Sequence, residues 1–268
     1  MRVEARVVLR EGALEFLAAF HSKDHESILR LGAQPEHVYA ALGLIGLEPG
    51  HPPQVRENGS CCEPPRGDLV DIFVEWEADG YIETAESSTW LREAAYRRPV
   101  RAQAWIFGGS RVRPDGTLSC RATGEAIALV DFPDSLVSHA RRASSRWGEL
   151  WCEANTDAIP PLGTRVTIIL RPAAPRRHVM RLAPAGRLLV DGSLAEPAEV
   201  ASLILQAREL TPGHGQVIAV DRALRSDVRR VRGEIEAAGV PADALRFEDA
   251  RPEAPSVDTA TSQPSPRF

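Results

Sequence analysis

Three observations predict a two-domain α+β fold. Residues 1–170 carry several alternating apolar and polar stretches separated by turn residues, the pattern of a mixed α/β domain with antiparallel strands. Arg171-Pro172-Ala173-Ala174-Pro175-Arg176-Arg177 has linker composition. Residues 178–248 alternate short apolar strands with amphipathic helices, as a small α/β sandwich does. From 249 to 268, Pro, Ser, Thr and Ala recur without periodicity, so a disordered tail is expected.

Val3, Ala5, Val7 and Leu9 alternate with Arg2, Glu4, Arg6 and Arg10 and predict a half-buried first strand. Glu11-Gly12 predicts a turn, with residues 14–20 as the hairpin partner. Pro35 opens a helix with Val38, Leu42 and Ile45 on one face, ended by Gly46 and Pro49-Gly50. Residues 51–67 read as an exposed loop. Val70, Ile72, Val74 and Trp76 alternate with Asp71, Glu75 and Glu77 in the clearest strand, closed by an Asp79-Gly80 turn. Residues 90–96 predict a short helix or helical turn, and 102–107 a strand ended by Gly108-Gly109-Ser110. Strands over 118–130 and 163–170 flank a helical stretch over 135–146. In the second domain, 188–190, 216–220 and 245–247 predict strands, and Asp191-Gly192 a turn. A helix over 197–210 and a Ser226-capped helix stopped by Gly239 complete it.

The chain has 268 residues, enough for two modest domains. No run approaches the roughly 18 apolar residues of a membrane helix, so no transmembrane segment is expected. The opening Met1-Arg2-Val3-Glu4-Ala5-Arg6 alternates charges and lacks the apolar core of a signal peptide. A net charge of -5 gives no pull toward nucleic acid. Arg141, Arg142, Arg229, Arg230 and Arg232 read as solvated helix faces without interleaved aromatics. Cys61, Cys62, Cys120 and Cys152 fit neither a zinc ribbon nor a redox pair. They read as free thiols, with one long-range disulfide the alternative in an exported protein. No cofactor is expected.

The densest polar segment is His21-Ser22-Lys23-Asp24-His25-Glu26-Ser27, set between apolar stretches. His21, Lys23, His25, Glu26 and Ser27 are its candidate ligand-binding residues. On a helix, histidines four apart share a face and can hold a metal, with Asp24 or Glu26 assisting. Between two strands that spacing loses its force. A metal site and a binding or catalytic cluster stand open beside a structural turn, in which Asp24 or Ser27 bonds backbone amides and His25 pairs with Glu26. Trp105, with Trp76 and Trp90, reads either as a groove wall or as core. Ser110, after Gly108-Gly109, reads as part of an anion-binding loop or of a turn that needs glycine. No catalytic residue and no metal ligand is assigned. Arg176, Arg177 and His178 read as solvated linker residues, and Pro212-Gly213-His214-Gly215 as a turn.

One resemblance is carried by Gly12-Ala13-Leu14-Glu15, Lys23-Asp24-His25-Glu26-Ser27-Ile28, His37-Val38-Tyr39-Ala40-Ala41-Leu42 and Leu44-Ile45-Gly46-Leu47-Glu48-Pro49-Gly50-His51-Pro52. It continues through Gly67-Asp68, Trp76, Trp90, Trp105-Ile106-Phe107-Gly108-Gly109-Ser110 and Pro160-Pro161-Leu162-Gly163-Thr164. In order and spacing, residues 1–170 resemble the YdjY domain family. That family is named after a protein described as ferredoxin-like, but the cysteine spacing here is not that of an iron–sulfur site. Residues 178–248 resemble the soluble domain of ExbD and TolR. The match runs through Asp191-Gly192, the helix over 200–210, Val217-Ile218-Ala219-Val220-Asp221, Val228, Val231, Ile235 and Ala237-Ala238-Gly239-Val240. The membrane helix of those proteins, with its proton-carrying aspartate, has no counterpart. The resemblance implies a binding or dimerising module in the periplasm or cell envelope, an awkward fit to a chain without a signal peptide.

The expectation is therefore a non-catalytic, envelope-associated binding or assembly protein. Its protein partner or second copy would dock on the C-terminal domain, and the 21–27 turn would recognise a ligand. The alternative is a metal-dependent or redox accessory enzyme using His21, His25 and Glu26, with Cys120 near them.

Overall fold

The computed structural model describes residues 1–55, 61–141, 143, 150–174, 176, 178–210 and 216–249, with the side chains of Val55, Cys61 and Cys62 left out. The expected tail beyond 249, Arg177, His214 and the thiols of Cys61 and Cys62 fall outside that description.

The protein is mixed α/β, with many strands and few helices. Nine strands form its main sheet: β1 (Arg2–Val7), β2 (Phe16–Ala19), β3 (Ser27–Leu31), β4 (Leu69–Ala78), β5 (Tyr81–Glu86), β6 (Trp105–Ile106), β7 (Glu125–Ala128), β8 (Val137–His139) and β9 (Arg165–Pro172). Their order is β6-β8-β7-β2-β3-β1-β9-β4, and β4 pairs back to β6. Eight strands thus close a barrel, while β5 hangs on β4 as a hairpin. The hairpin turn is Asp79-Gly80, both at positive φ (52° and 81°), the primed geometry that matches strand twist.

Alternation explains the barrel. Val3, Ala5 and Val7 of β1, Val70, Ile72 and Val74 of β4, and Val166, Ile168 and Leu170 of β9 are buried in one apolar core. An eight-stranded barrel is just wide enough for side chains to fill. Helix α1 (Pro35–Leu44) adds Val38 and Leu42 to that core, as its spacing predicts.

Two compact units emerge. One comprises Met1–Arg177 and Ala198–His214; the other comprises His178–Pro197 and Gly215–Phe268. The second holds a five-stranded sheet of β10 (Met180–Ala183), β11 (Arg187–Val190), β12 (Ser193–Ala195), β13 (Gln216–Val220) and β14 (Leu245–Asp249), ordered β12-β11-β10-β13-β14. Its own helix, α4 (Arg225–Ala237), buries Val231 and Ile235. Helix α3 (Pro197–Leu210), expected in the second domain, is grouped with the barrel unit. The reason is a polar face: Gln206 exchanges two hydrogen bonds with the backbone of Ala104 (3.1 and 3.2 Å), Ser202 donates to Gln103 and Glu199 pairs with Arg101.

Several local expectations are corrected. β2 is not the hairpin partner of β1; β3 lies between them, antiparallel to β1 and parallel to β2. The stretch 118–130 is split by α2 (Cys120–Thr123), because Gly124 at φ 81° ends that turn before β7. Residues 137–139 of the expected helix over 135–146 are strand β8, and Arg142 and 144–149 lie outside the described residues. Residues 87–90 form a 3₁₀ turn, and 91–93 a strand. That strand sits between Arg98–Pro99 and Cys152–Ala154 in a three-stranded sheet. Ser226 lies inside α4 rather than capping it; Leu224 holds the cap position.

Candidate functional site

Parallel neighbours usually need a crossover of a dozen residues or more. β2 and β3 are parallel neighbours joined by residues 20–26 alone. Phe16 pairs with Ser27, so the chain leaves the far end of β2 and returns along its length within that short loop. This return explains the dense polarity of His21–Ser27. Several of its polar groups hold the path. The ring of His21 contacts Ser22 Oγ (3.0 Å) and the Arg121 carbonyl (2.9 Å). Asp24 pairs with Arg30, and Ser27 Oγ, fully buried, donates to the Leu29 carbonyl. His25 is exposed, 3.6 Å from Glu26.

Lys23 is different. It is the only lysine of the chain, among arginines at every other basic position. Its Nζ lies 2.8 Å from Glu26 Oε1 and over the rings of Phe16 (5.5 Å) and Phe132 (5.8 Å), which stack at 4.9 Å. Glu15 and Glu125 share this surrounding. The Glu15 carboxyl is half-buried and in hydrogen-bond reach of Glu26; burial, then the Glu26 charge, push it up to about 7. Glu125 is buried; burial, then Asp134, push it up to about 7, with Lys23 opposing. Glu125 Oε2 accepts from the Asp134 amide at 3.2 Å, and Arg111 holds Asp134 at 2.6 Å.

Glu15, Glu125, Phe16 and Phe132 were missed in the sequence. The signal was present: Glu15 interrupts the apolar run 13–20, and Glu125 opens the apolar run 125–130. An acid in such a run is buried unless the chain bends away.

The remaining candidates lie elsewhere. Trp105 is buried, edge-on to His139 at 4.9 Å. His139 is buried too, pushed down to about 3 by burial and then Arg141, and its Nδ1 accepts the Arg141 amide. Trp90 is fully buried against Trp76. The Gly108 and Gly109 amides donate to the Ile106 and Leu136 carbonyls, so neither faces an anion. Ser110 Oγ accepts the Cys120 amide at 3.1 Å. Gly108 and Gly109 abut Pro49 and Pro52: an added Cβ would lie 2.9 Å from Pro52 Cα at Gly108 and 2.7 Å from Pro49 Cβ at Gly109. The motifs around Pro49-Gly50-His51-Pro52, Gly67-Asp68 and Gly108-Gly109-Ser110 thus meet as one close-packed backbone knot. Arg176 is not solvated; it reaches buried Asp71 at 2.7 Å and also pairs with Glu86. His178 is held by Asp191 at 2.8 Å.

Cys120 and Cys152 are buried free thiols on separate elements. Burial pushes Cys120 up to about 11 and Cys152 up still further. They do not fit an iron–sulfur cluster, which needs accessible thiolates grouped together. Among the described residues, no three or more His, Cys, Asp or Glu converge as metal ligands would. In the folded protein both thiols should resist iodoacetamide at neutral pH and label only after denaturation, since the thiolate is the nucleophile. Labelling counted by mass spectrometry checks this; rapid native modification at either position would refute it.

The fold and this arrangement define a closed β-barrel domain with a charged parallel return. The chain belongs to the YdjY domain family, whose pattern matches residues 12–171. Neither the curated proteins nor the solved structures gave a match. No helix among the described residues is long and apolar enough to cross a membrane.

Proposed function

We propose that this protein is a non-catalytic binding or assembly module of the cell envelope. The barrel unit would recognise a ligand through the 21–27 turn, and the second unit, with its ExbD/TolR-like motifs, would dock a protein partner or a second copy. One contrast carries the reading. The barrel closes on itself, whereas among the described residues the second sheet ends in β12 and β14, each paired on one side only. Open strand edges are templates for β-augmentation.

Sedimentation velocity of the full chain over a wide concentration range tests the docking half. A concentration-dependent rise in mass is expected, and it should be lost when proline replaces a residue of β14. A monomer at every concentration would remove self-assembly from the reading.

A further inference from the structure

The barrel closure leaves one strand outside it. β5 pairs with β4 alone, from Glu86 opposite Phe73 to Tyr81 opposite Ala78, so among the described residues its outer edge carries no strand. Tyr81, Ile82, Glu83 and Thr84 are exposed in succession. Strand side chains alternate between faces, so both faces of the ribbon's far end lie clear of the core. Tyr81 is 74% exposed and Ile82 65%. A two-stranded ribbon without a third strand or a packed face is marginal by itself. Its charge is one-sided. From Leu69 to Glu86 the hairpin has six acids and no arginine or lysine. Toward the barrel, Asp71 and Glu86 pair with Arg176, and Glu75 pairs with Arg2. Glu77, Asp79 and Glu83, at the far end, are exposed and have no ion-pair partner among the described residues. Glu83 shares a face with Tyr81, and Glu77 lies directly across from Ile82 on the other. Each face thus offers one large apolar side chain beside one unpaired carboxylate.

We infer that β5 is a docking edge for an extended, arginine- or lysine-rich segment of another protein, which adds to the β4–β5 ribbon as a third strand. The open backbone edge would accept any strand; the carboxylates select a basic one. A long basic side chain covers Tyr81 or Ile82 with its stem and meets Glu83 or Glu77 with its charge. A second copy of the same hairpin would set carboxylate against carboxylate, which disfavours cross-strand pairing. The edge belongs to the barrel unit and uses neither the 21–27 turn nor β12 or β14, so it stands apart from the docking proposed above.

Titrating the full chain with a synthetic peptide of about ten residues, alternating arginine and threonine, tests the edge. Binding is expected, with hydrogen exchange slowed over residues 81–86 in the complex. A peptide alternating glutamate and threonine has similar length and opposite charge, and it should not bind. Combining Glu77→Gln, Asp79→Asn and Glu83→Gln removes the charge and keeps the shape, since asparagine suits the positive φ (52°) of position 79. That variant should bind the basic peptide about tenfold more weakly, the effect of three exposed ion pairs together. Equal affinity of variant and wild type, or equal binding of the acidic peptide, would overturn the inference. Protection absent from 81–86, or found at β12 or β14 instead, would overturn it as well. So would loss of self-association in the same variant without peptide, because the occupant would then be a second copy. Proline in β14 should leave peptide binding unchanged, which keeps a failure here distinct from a failure of the self-assembly reading.

Discussion

Replacing Gly67 by alanine is expected to cost at least about 3 kcal/mol of stability, a large fraction of what a domain has. Gly67 sits at φ 140°, a conformation that L side chains rarely adopt. An added Cβ would lie 2.0 Å from the Phe107 carbonyl oxygen and 2.8 Å from the Gly50 amide nitrogen. Both are backbone atoms, held by the Gly50 amide donating to the Phe107 carbonyl and the Phe107 amide donating to the Asp68 carbonyl. Relief therefore means moving β6 or the Pro49–His51 strand, not turning a side chain. Gly12→Ala separates the two causes. Gly12 also has positive φ, 95°, but nothing lies within 4 Å of its added Cβ. It should lose only the conformational part, about 1 kcal/mol. Denaturant unfolding of both variants measures the difference. Equal losses would mean that backbone conformation alone, not the close approach, makes Gly67 necessary.

The same knot shows what the sequence could and could not reveal. Alternation made β1, β4 and β9 legible, because each alternates buried apolar residues with more exposed ones, apart from Asp71 of β4, which is buried against Arg176. The glycines of 50, 67, 108 and 109 announce tight backbone, but not that they tighten against one another; that is a long-range fact. The return loop was legible as a cluster and obscure as a connection. A polar segment between two apolar strands suggests a hairpin, and nothing local distinguishes that from a parallel return. Pairing partners are set by the closed barrel, where β3 fills the gap between β1 and β2. The candidate residues split accordingly. His21, Lys23, Glu26 and Ser27 are held together by the loop, and His25 stays exposed beside them. Trp105 and Ser110 belong to other surroundings. Glu15, just before β2, and Glu125, the first residue of β7, complete the charged cluster from stretches that read simply as apolar.

Helix α3 provides the second large effect. Glu199 is buried, with Arg101 Nε at 2.8 Å and Arg98 at 3.5 Å; Arg98 also reaches buried Glu93 at 3.2 Å. A buried ion pair adds little over an apolar contact, because desolvation offsets the attraction. Breaking one is costly, since the surviving charges stay buried with less compensation. Glu199→Ala should therefore cost about 3 kcal/mol, whereas Glu234→Ala, which removes the exposed Arg230–Glu234 pair of α4, should cost under about 1 kcal/mol. Because the chain has two compact units, the readout should be local. Hydrogen exchange of the α3 amides should accelerate strongly in E199A and stay unchanged in E234A. Glu199→Gln refines the cause: it keeps the shape and a hydrogen-bond acceptor but removes the charge. If E199Q matches wild type while E199A does not, packing and hydrogen bonding hold the helix. If both fall together, the carboxylate's charge opposite Arg98 and Arg101 fastens α3 to the segment before β6.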